Sequence, residues 1–113
     1  MIENLNTYII NLDTRPDRWV TVSKQVTDLG ITNFKRLPAC TGQNPLAGNA
    51  MSHLSCLQQG SNLIFEDDVF FEPGAMELFK KALTELPKDF HVLYLGGNVE
   101  KPINRISEHM FKL

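Results

Sequence analysis

The chain has 113 residues, a formal net charge of −2, 42% apolar and 21% charged side chains. Such values describe one soluble globular domain able to bury about two-thirds of its unfolded surface, and they argue against a disordered chain or a nucleic-acid binder, which needs a basic surface. No basic-then-apolar leader opens the sequence and no apolar run approaches the roughly 20 residues that cross a bilayer, so the expected location is the cytoplasm.

In chain order, Thr7-Tyr8-Ile9-Ile10-Asn11-Leu12 is rich in β-branched and aromatic residues and predicts a buried first strand that gives way to polar Asn11 and Asp13. Thr14-Arg15-Pro16-Asp17-Arg18 predicts a helix start, with Thr14 as the cap, Asp17 three residues on and Pro16 in the first turn. Trp19, Val22, Val26 and Leu29 then fall on one helical face, and Gly30 provides a left-handed stop. Phe34-Lys35-Arg36-Leu37, closed by Pro38, predicts a second strand parallel to the first through a right-handed crossover. After a loop over Thr41-Gly42-Gln43-Asn44-Pro45, the spacing of Ala47, Met51, Leu54 and Leu57 predicts a helix ending at Gly60, with Ser52 and His53 in its early turns.

Asn62-Leu63-Ile64-Phe65-Glu66-Asp67-Asp68-Val69-Phe70-Phe71 places three consecutive carboxylates after an apolar run of strand length. Beyond it, Met76, Phe79, Leu83 and Leu86 share the face of a helix opened by Glu72-Pro73-Gly74 and ended by Pro87. Phe90-His91-Val92-Leu93-Tyr94-Leu95 predicts a further strand closed by Gly96-Gly97. The tail supports two readings: Ile103, Ile106, Met110 and Leu113 fit helical spacing, while His109 to Leu113 equally fits the start of a strand. Cys40 and Cys56 lack CxxC spacing and lie among apolar residues, which favours reduced, buried thiols over a disulfide or a zinc site.

Strands alternating with helices define an α/β protein with a mostly parallel sheet and flanking helices, and ligands of such sheets sit at the carboxyl ends of the strands. In an extended chain Glu66 and Asp68 project to one side and Asp67 to the other. Two carboxylates on one side repel, and a hard divalent cation such as Mg²⁺ or Mn²⁺ relieves that repulsion; a solvated acidic turn is the plainer alternative. Arg15 and Arg18, three apart at a helix start, suit an anion held also by free amides and the helix dipole, or form only a solvated helix end. His53, beside an apolar helical face, reads more simply as a structural residue than as a base. Gly96-Gly97 is either a turn or a place where backbone approaches a ligand closely.

Four segments, in order, resemble the signature segments of glycosyltransferase family 25, which includes bacterial lipooligosaccharide galactosyltransferases and animal collagen galactosyltransferases. They are Tyr8 to Trp19, Met51-Ser52-His53-Leu54, Ile64-Phe65-Glu66-Asp67-Asp68-Val69 and Leu93-Tyr94-Leu95-Gly96-Gly97-Asn98, and together they span most of the chain. The resemblance implies an abbreviated GT-A-like, Rossmann-like fold over residues 1–113 as a single nucleotide-sugar-binding domain. It also implies a UDP-sugar donor such as UDP-galactose, a saccharide acceptor as in lipopolysaccharide biosynthesis, Mn²⁺ or Mg²⁺, and inversion at the transferred sugar. On the same ground Asn11, Asp13, Arg15 and Arg18 belong to the donor-binding turn, Ser52 and His53 lie near the donor, and Gly96, Gly97 and Asn98 lie near the transferred sugar. Glu66, Asp67 and Asp68 form a DxD-like metal site with Asp68 as the direct ligand.

Family members carry longer connections around the Ser-His pair, the helix here is cut at Gly60, and His109 to Leu113 resembles the start of a strand that in relatives leads into a further half-domain. The expectation is therefore a miniature or truncated form keeping the nucleotide-sugar half, with the catalytic base unassigned. A non-catalytic nucleotide-sugar-binding remnant or partner-binding module is the alternative. It would pair, or self-associate, through an incomplete sheet edge or the apolar tail residues Ile106, Met110 and Phe111. A DxDx(T/V) phosphohydrolase is excluded by Glu66 in place of the nucleophilic aspartate and by Phe70 in place of Thr or Val.

Overall fold

A computed structural model describes residues 4–96 and the backbone of residues 104–107 and 110–112. The chain divides into two compact units, Met1–Phe71 and Glu72–Leu113. The first holds strand β1 (Thr7–Asn11), helix α1 (Pro16–Asp28), strand β2 (Phe34–Pro38), helix α2 (Pro45–Gln58) and strand β3 (Leu63–Glu66). Its sheet has the order β2-β1-β3 with both pairings parallel. The register sets Asn11 beside Pro38 and Ile10 beside Glu66, so the three strands end together. Here the expected alternation of strand and helix produces a small parallel α/β unit of Rossmann-like arrangement.

The central strand is buried along its whole length, as the uninterrupted apolar run requires of a strand covered on both faces. Ile9, Val22, Val26 and Ile31 have almost no exposed surface. Thus the face expected of α1 is the one that packs, with Trp19 meeting Phe34 edge-on at 6.0 Å between centroids. Gly30, at φ 97°, stops the helix, and the Ile31 amide reaches back to the Val26 carbonyl at 3.3 Å, the longer-range bond of a Schellman ending. The start of α1 departs from expectation. Arg15, not Thr14, occupies the cap position, without a side-chain cap bond. Leu12 to Arg15 closes first as a turn, with the Arg15 amide donating to the Leu12 carbonyl at 3.0 Å, and this moves Thr14 outside the helix.

Helix α2 forms where expected but turns a different face inward. Met51, Leu54 and Leu57 are each more than half exposed, and Gly48, Ser52 and Cys56 are the buried set. The small side chains win because the preceding loop lies directly on the helix. A Cβ at Gly48 would stand 2.8 Å from the Cys40 carbonyl oxygen, and one at Gly42 would stand 2.8 Å from the Gly48 nitrogen. Ser52 Oγ completes the clasp by accepting from the Cys40 amide at 2.8 Å and donating to the Gly48 carbonyl at 2.9 Å. Asn44 caps the helix through its Oδ1, which accepts from the Ala47 amide at 2.9 Å. The two cysteines are free thiols, Cys56 buried and Cys40 partly so.

The second unit contains helix α3 (Ala75–Thr84) and a hairpin of strands β4 (Asn104–Ser107) and β5 (Met110–Lys112). Gly74, at φ 79°, leads into α3, whose Met76, Phe79 and Leu83 are half-buried, and the helix ends before Leu86. The tail takes the extended alternative, with β4 and β5 antiparallel and a register irregularity between Arg105 and Ser107. Phe90 to Leu95 is not a strand. Aromatic and β-branched residues favour a pleated, half-buried surface, but a strand exists only when a neighbour completes its hydrogen bonds, and Val92 and Tyr94 are instead largely exposed. The side chains of Ile106, Met110 and Phe111 lie outside the described residues. Among the described residues no helix is long and apolar enough to cross a membrane.

Candidate functional site

The carboxyl ends of β1, β2 and β3 carry a polar network centred on Asn11. Its side chain is 1% exposed, and every polar atom of its amide is engaged. Nδ2 donates to Asp67 Oδ2 at 2.8 Å and to the Arg15 carbonyl at 3.0 Å, while Oδ1 accepts from Arg36 Nε at 2.8 Å. Arg36 Nη2 donates further to the Asn11 carbonyl at 3.1 Å and to Asp13 Oδ1 at 2.6 Å. A planar guanidinium suits this role because its forked donors reach several acceptors in fixed directions. Arg36 was not among the residues expected from sequence. The available signal was a cation inside a predicted strand one position before its end, whose partner in the parallel register is Ile9.

Asp67 is tied to the network from the other side by Arg18, whose Nη1 lies 3.5 Å from Oδ1. The simple alternation expected for the three carboxylates therefore fails. Strand β3 ends at Glu66, the Val69 amide donates to the Glu66 carbonyl at 3.2 Å, and the resulting turn carries Asp67 inward to Asn11 rather than away from the site. Glu66 faces His53, with Oε1 3.2 Å from Nε2, both side chains being nearly half exposed. Asp68 is exposed and makes no hydrogen bond or ion pair among the described residues.

Arg15 and Arg18 bond to different carboxylates, Asp17 and Asp67. Arg15 grips Asp17 with both fork positions, at 3.0 Å and 2.9 Å, and its guanidinium is held above its ordinary pKa chiefly by that bond. In return the Asp17 carboxyl is lowered to about 2, first of all by its hydrogen bond to Arg15. Ser52 is buried in the loop clasp. Gly96 stands exposed at a bend in the second unit, while Gly97 and Asn98 lie outside the described residues.

A cavity of about 510 Å³ opens at these strand ends, with Glu66, Asp67 and Asp68 on one wall and the loop from Ala39 to Pro45 and the first turns of α2 on another. Ile10 and Leu12 also line it. This volume lies within the range of small-molecule sites, about 300–1,000 Å³. Among the described residues no three His, Cys, Asp or Glu side chains gather as a ligand set. The donors on the acidic wall are all carboxylate oxygens, the chemistry that suits a hard divalent cation. Such an ion takes one or two protein carboxylates and completes its shell with water and substrate phosphates, and Asp68 is the carboxylate with no competing partner.

The fold and site define a small parallel α/β protein with an acidic cavity at its strand ends. Comparison with family models, with curated proteins and with solved structures finds no match.

Proposed function

We propose that the chain is a metal-dependent glycosyltransferase of the family-25 kind, taking a UDP-sugar, UDP-galactose by preference, and glycosylating a saccharide. The observation that carries the proposal is the cavity at the carboxyl ends of the parallel strands, bounded by the acidic turn. Position and chemistry both favour it, because strand ends of open α/β sheets take nucleotides and a carboxylate wall takes a phosphate-bound cation. The sequence segments that resemble the family supply the acidic turn itself and the Asn11 turn beside it.

Within this reading Asp68 would hold Mn²⁺ or Mg²⁺, Glu66 is engaged with His53, and Asp67 is spent on fixing the turn to Asn11. When bound, the cation offsets charge developing on the departing diphosphate. The chain's own residues order the turn that carries those ligands and line the cavity that receives the donor. In the transfer the acceptor hydroxyl oxygen bonds to the anomeric carbon of the donor sugar, and the bond from that carbon to the diphosphate oxygen breaks with its electron pair leaving on UDP. The hydroxyl proton passes to a carboxylate.

Titration of UDP into the full chain with and without Mn²⁺, followed by calorimetry and thermal stability, tests the proposal, since a ligand of the folded state raises its stability. Metal-dependent binding that disappears in Asp68→Asn is the expected outcome. Absence of UDP binding under both conditions refutes the donor site, and metal-dependent binding retained in Asp68→Asn refutes the ligand assignment.

A further inference from the structure

The acidic turn separates two cavities, because Asp67 and Asp68 also line a second one, of about 300 Å³, on the α1 side. Its other walls are the Asp17–Gln25 stretch of α1 and the pair Val69-Phe70. Phe71 packs edge-on against Phe65 at 5.2 Å, and this anchor leaves the preceding ring, Phe70, turned outward and 77% exposed at the cavity rim.

We propose that this second cavity is a subsite for the ring of a neutral saccharide, with Phe70 as its stacking platform and Gln25 as its hydrogen-bonding side chain. An aromatic face carries negative charge density and attracts the C–H groups on the apolar side of a sugar ring. A ring edged with hydroxyls also needs donors and acceptors together, and the Gln25 amide supplies both. The Gln25 side chain makes no hydrogen bond among the described residues. The charges around the cavity favour a neutral ligand over an anion. Asp17 is paired with Arg15 and Arg18 with Asp67, which leaves the Asp68 carboxylate, when it holds no cation, to repel a phosphate.

Only the further step, in which this ring is the acceptor and the donor occupies the larger cavity across the turn, rests on the proposed glycosyltransferase function. Saccharide binding itself does not.

The test is titration of lactose, maltose and cellobiose into the isotopically labelled full chain without UDP, followed by backbone amide shifts. Shifts at Thr21, Gln25 and Phe70, with binding weakened roughly tenfold in Phe70→Ala, are expected. Gln25→Ala should weaken the same binding. Phe70 is mostly exposed, so its replacement should leave the thermal midpoint unchanged. Three results overturn the subsite: no shift at these amides with any of the three sugars, wild-type binding in both variants, or displacement of the sugar from these amides by inorganic phosphate. A chain that binds saccharide here but never binds UDP overturns the glycosyltransferase reading and leaves the subsite standing; UDP binding without saccharide shifts does the reverse.

Discussion

Replacing Arg36 with methionine should destabilise the protein far more than replacing its neighbour Lys35. Arg36 is 30% exposed at its side chain and makes three bonds, at 2.8 Å to Asn11 Oδ1, 3.1 Å to the Asn11 carbonyl and 2.6 Å to Asp13 Oδ1. The Asp13 leg contributes little, about 0–1 kcal/mol, because Asp13 is 78% exposed and screened by water. The Asn11 legs decide the outcome. Asn11 is 1% exposed, so its Oδ1 loses its donor where water does not readily replace it, and an unsatisfied buried acceptor costs about 1–3 kcal/mol. A total near 2 kcal/mol corresponds to a fall in melting temperature of roughly 8–16 °C for a small domain. Lys35 is exposed on the opposite face of β2, and Lys35→Met should stay within about 0.5 kcal/mol of wild type. Urea unfolding of the three proteins, followed by circular dichroism, measures both differences. Equal unfolding midpoints for Arg36→Met and Lys35→Met would refute the placement of Arg36 at the centre of the network. Arg36→Lys should recover only part of the loss, since a single ammonium nitrogen does not reproduce the separate Nε and Nη2 positions that reach the two Asn11 acceptors.

Two further outcomes follow from other contacts. Gly48→Ala places a Cβ 2.8 Å from the Cys40 carbonyl oxygen, so loop or helix must shift, at about 1–3 kcal/mol, although alanine is the better helix former by about 1 kcal/mol; net stabilisation in urea unfolding would contradict the loop clasp. Asp17, lowered from 3.8 to about 2 when folded, contributes stability that is present above pH 3.8 and lost as pH falls through about 2. The stability difference between wild type and Asp17→Asn should accordingly hold constant above that window and close within it. A difference that grows on acidification would reverse the assigned sign.

The order and type of the elements in the first unit were legible because each depends on local chemistry. The β-branched run of β1, the Val22 and Val26 face of α1, the glycine stop at Gly30 and the apolar lead into Glu66 are written in neighbouring residues. The acidic turn and Asn11 were legible as candidates for the same reason, since polar residues directly after an apolar run mark the end of its strand. Periodicity failed at α2, where Met51, Leu54 and Leu57 stand exposed and the buried stripe is the small one. It failed again at Phe90 to Leu95, because strand propensity does not provide a neighbouring strand.

Only the tertiary structure decided what the charged residues do to one another. Arg36 is 25 residues from Asn11, and Asp67 is 56 from it, so no local pattern announces that one amide holds both. Sequence spacing set Arg15 and Arg18 on one helical turn. Their different partners, Asp17 and Asp67, came from the turn at Leu12 to Arg15 and from the parallel register of β1 with β3. Local backbone preference determines elements over a few residues, whereas the pairing of charges distant in sequence is settled by which strand ends the sheet brings together. That is why the sequence by itself determined an α/β chain with an acidic strand end, and the packed structure decided that Asp67 braces the turn while Asp68 stands free.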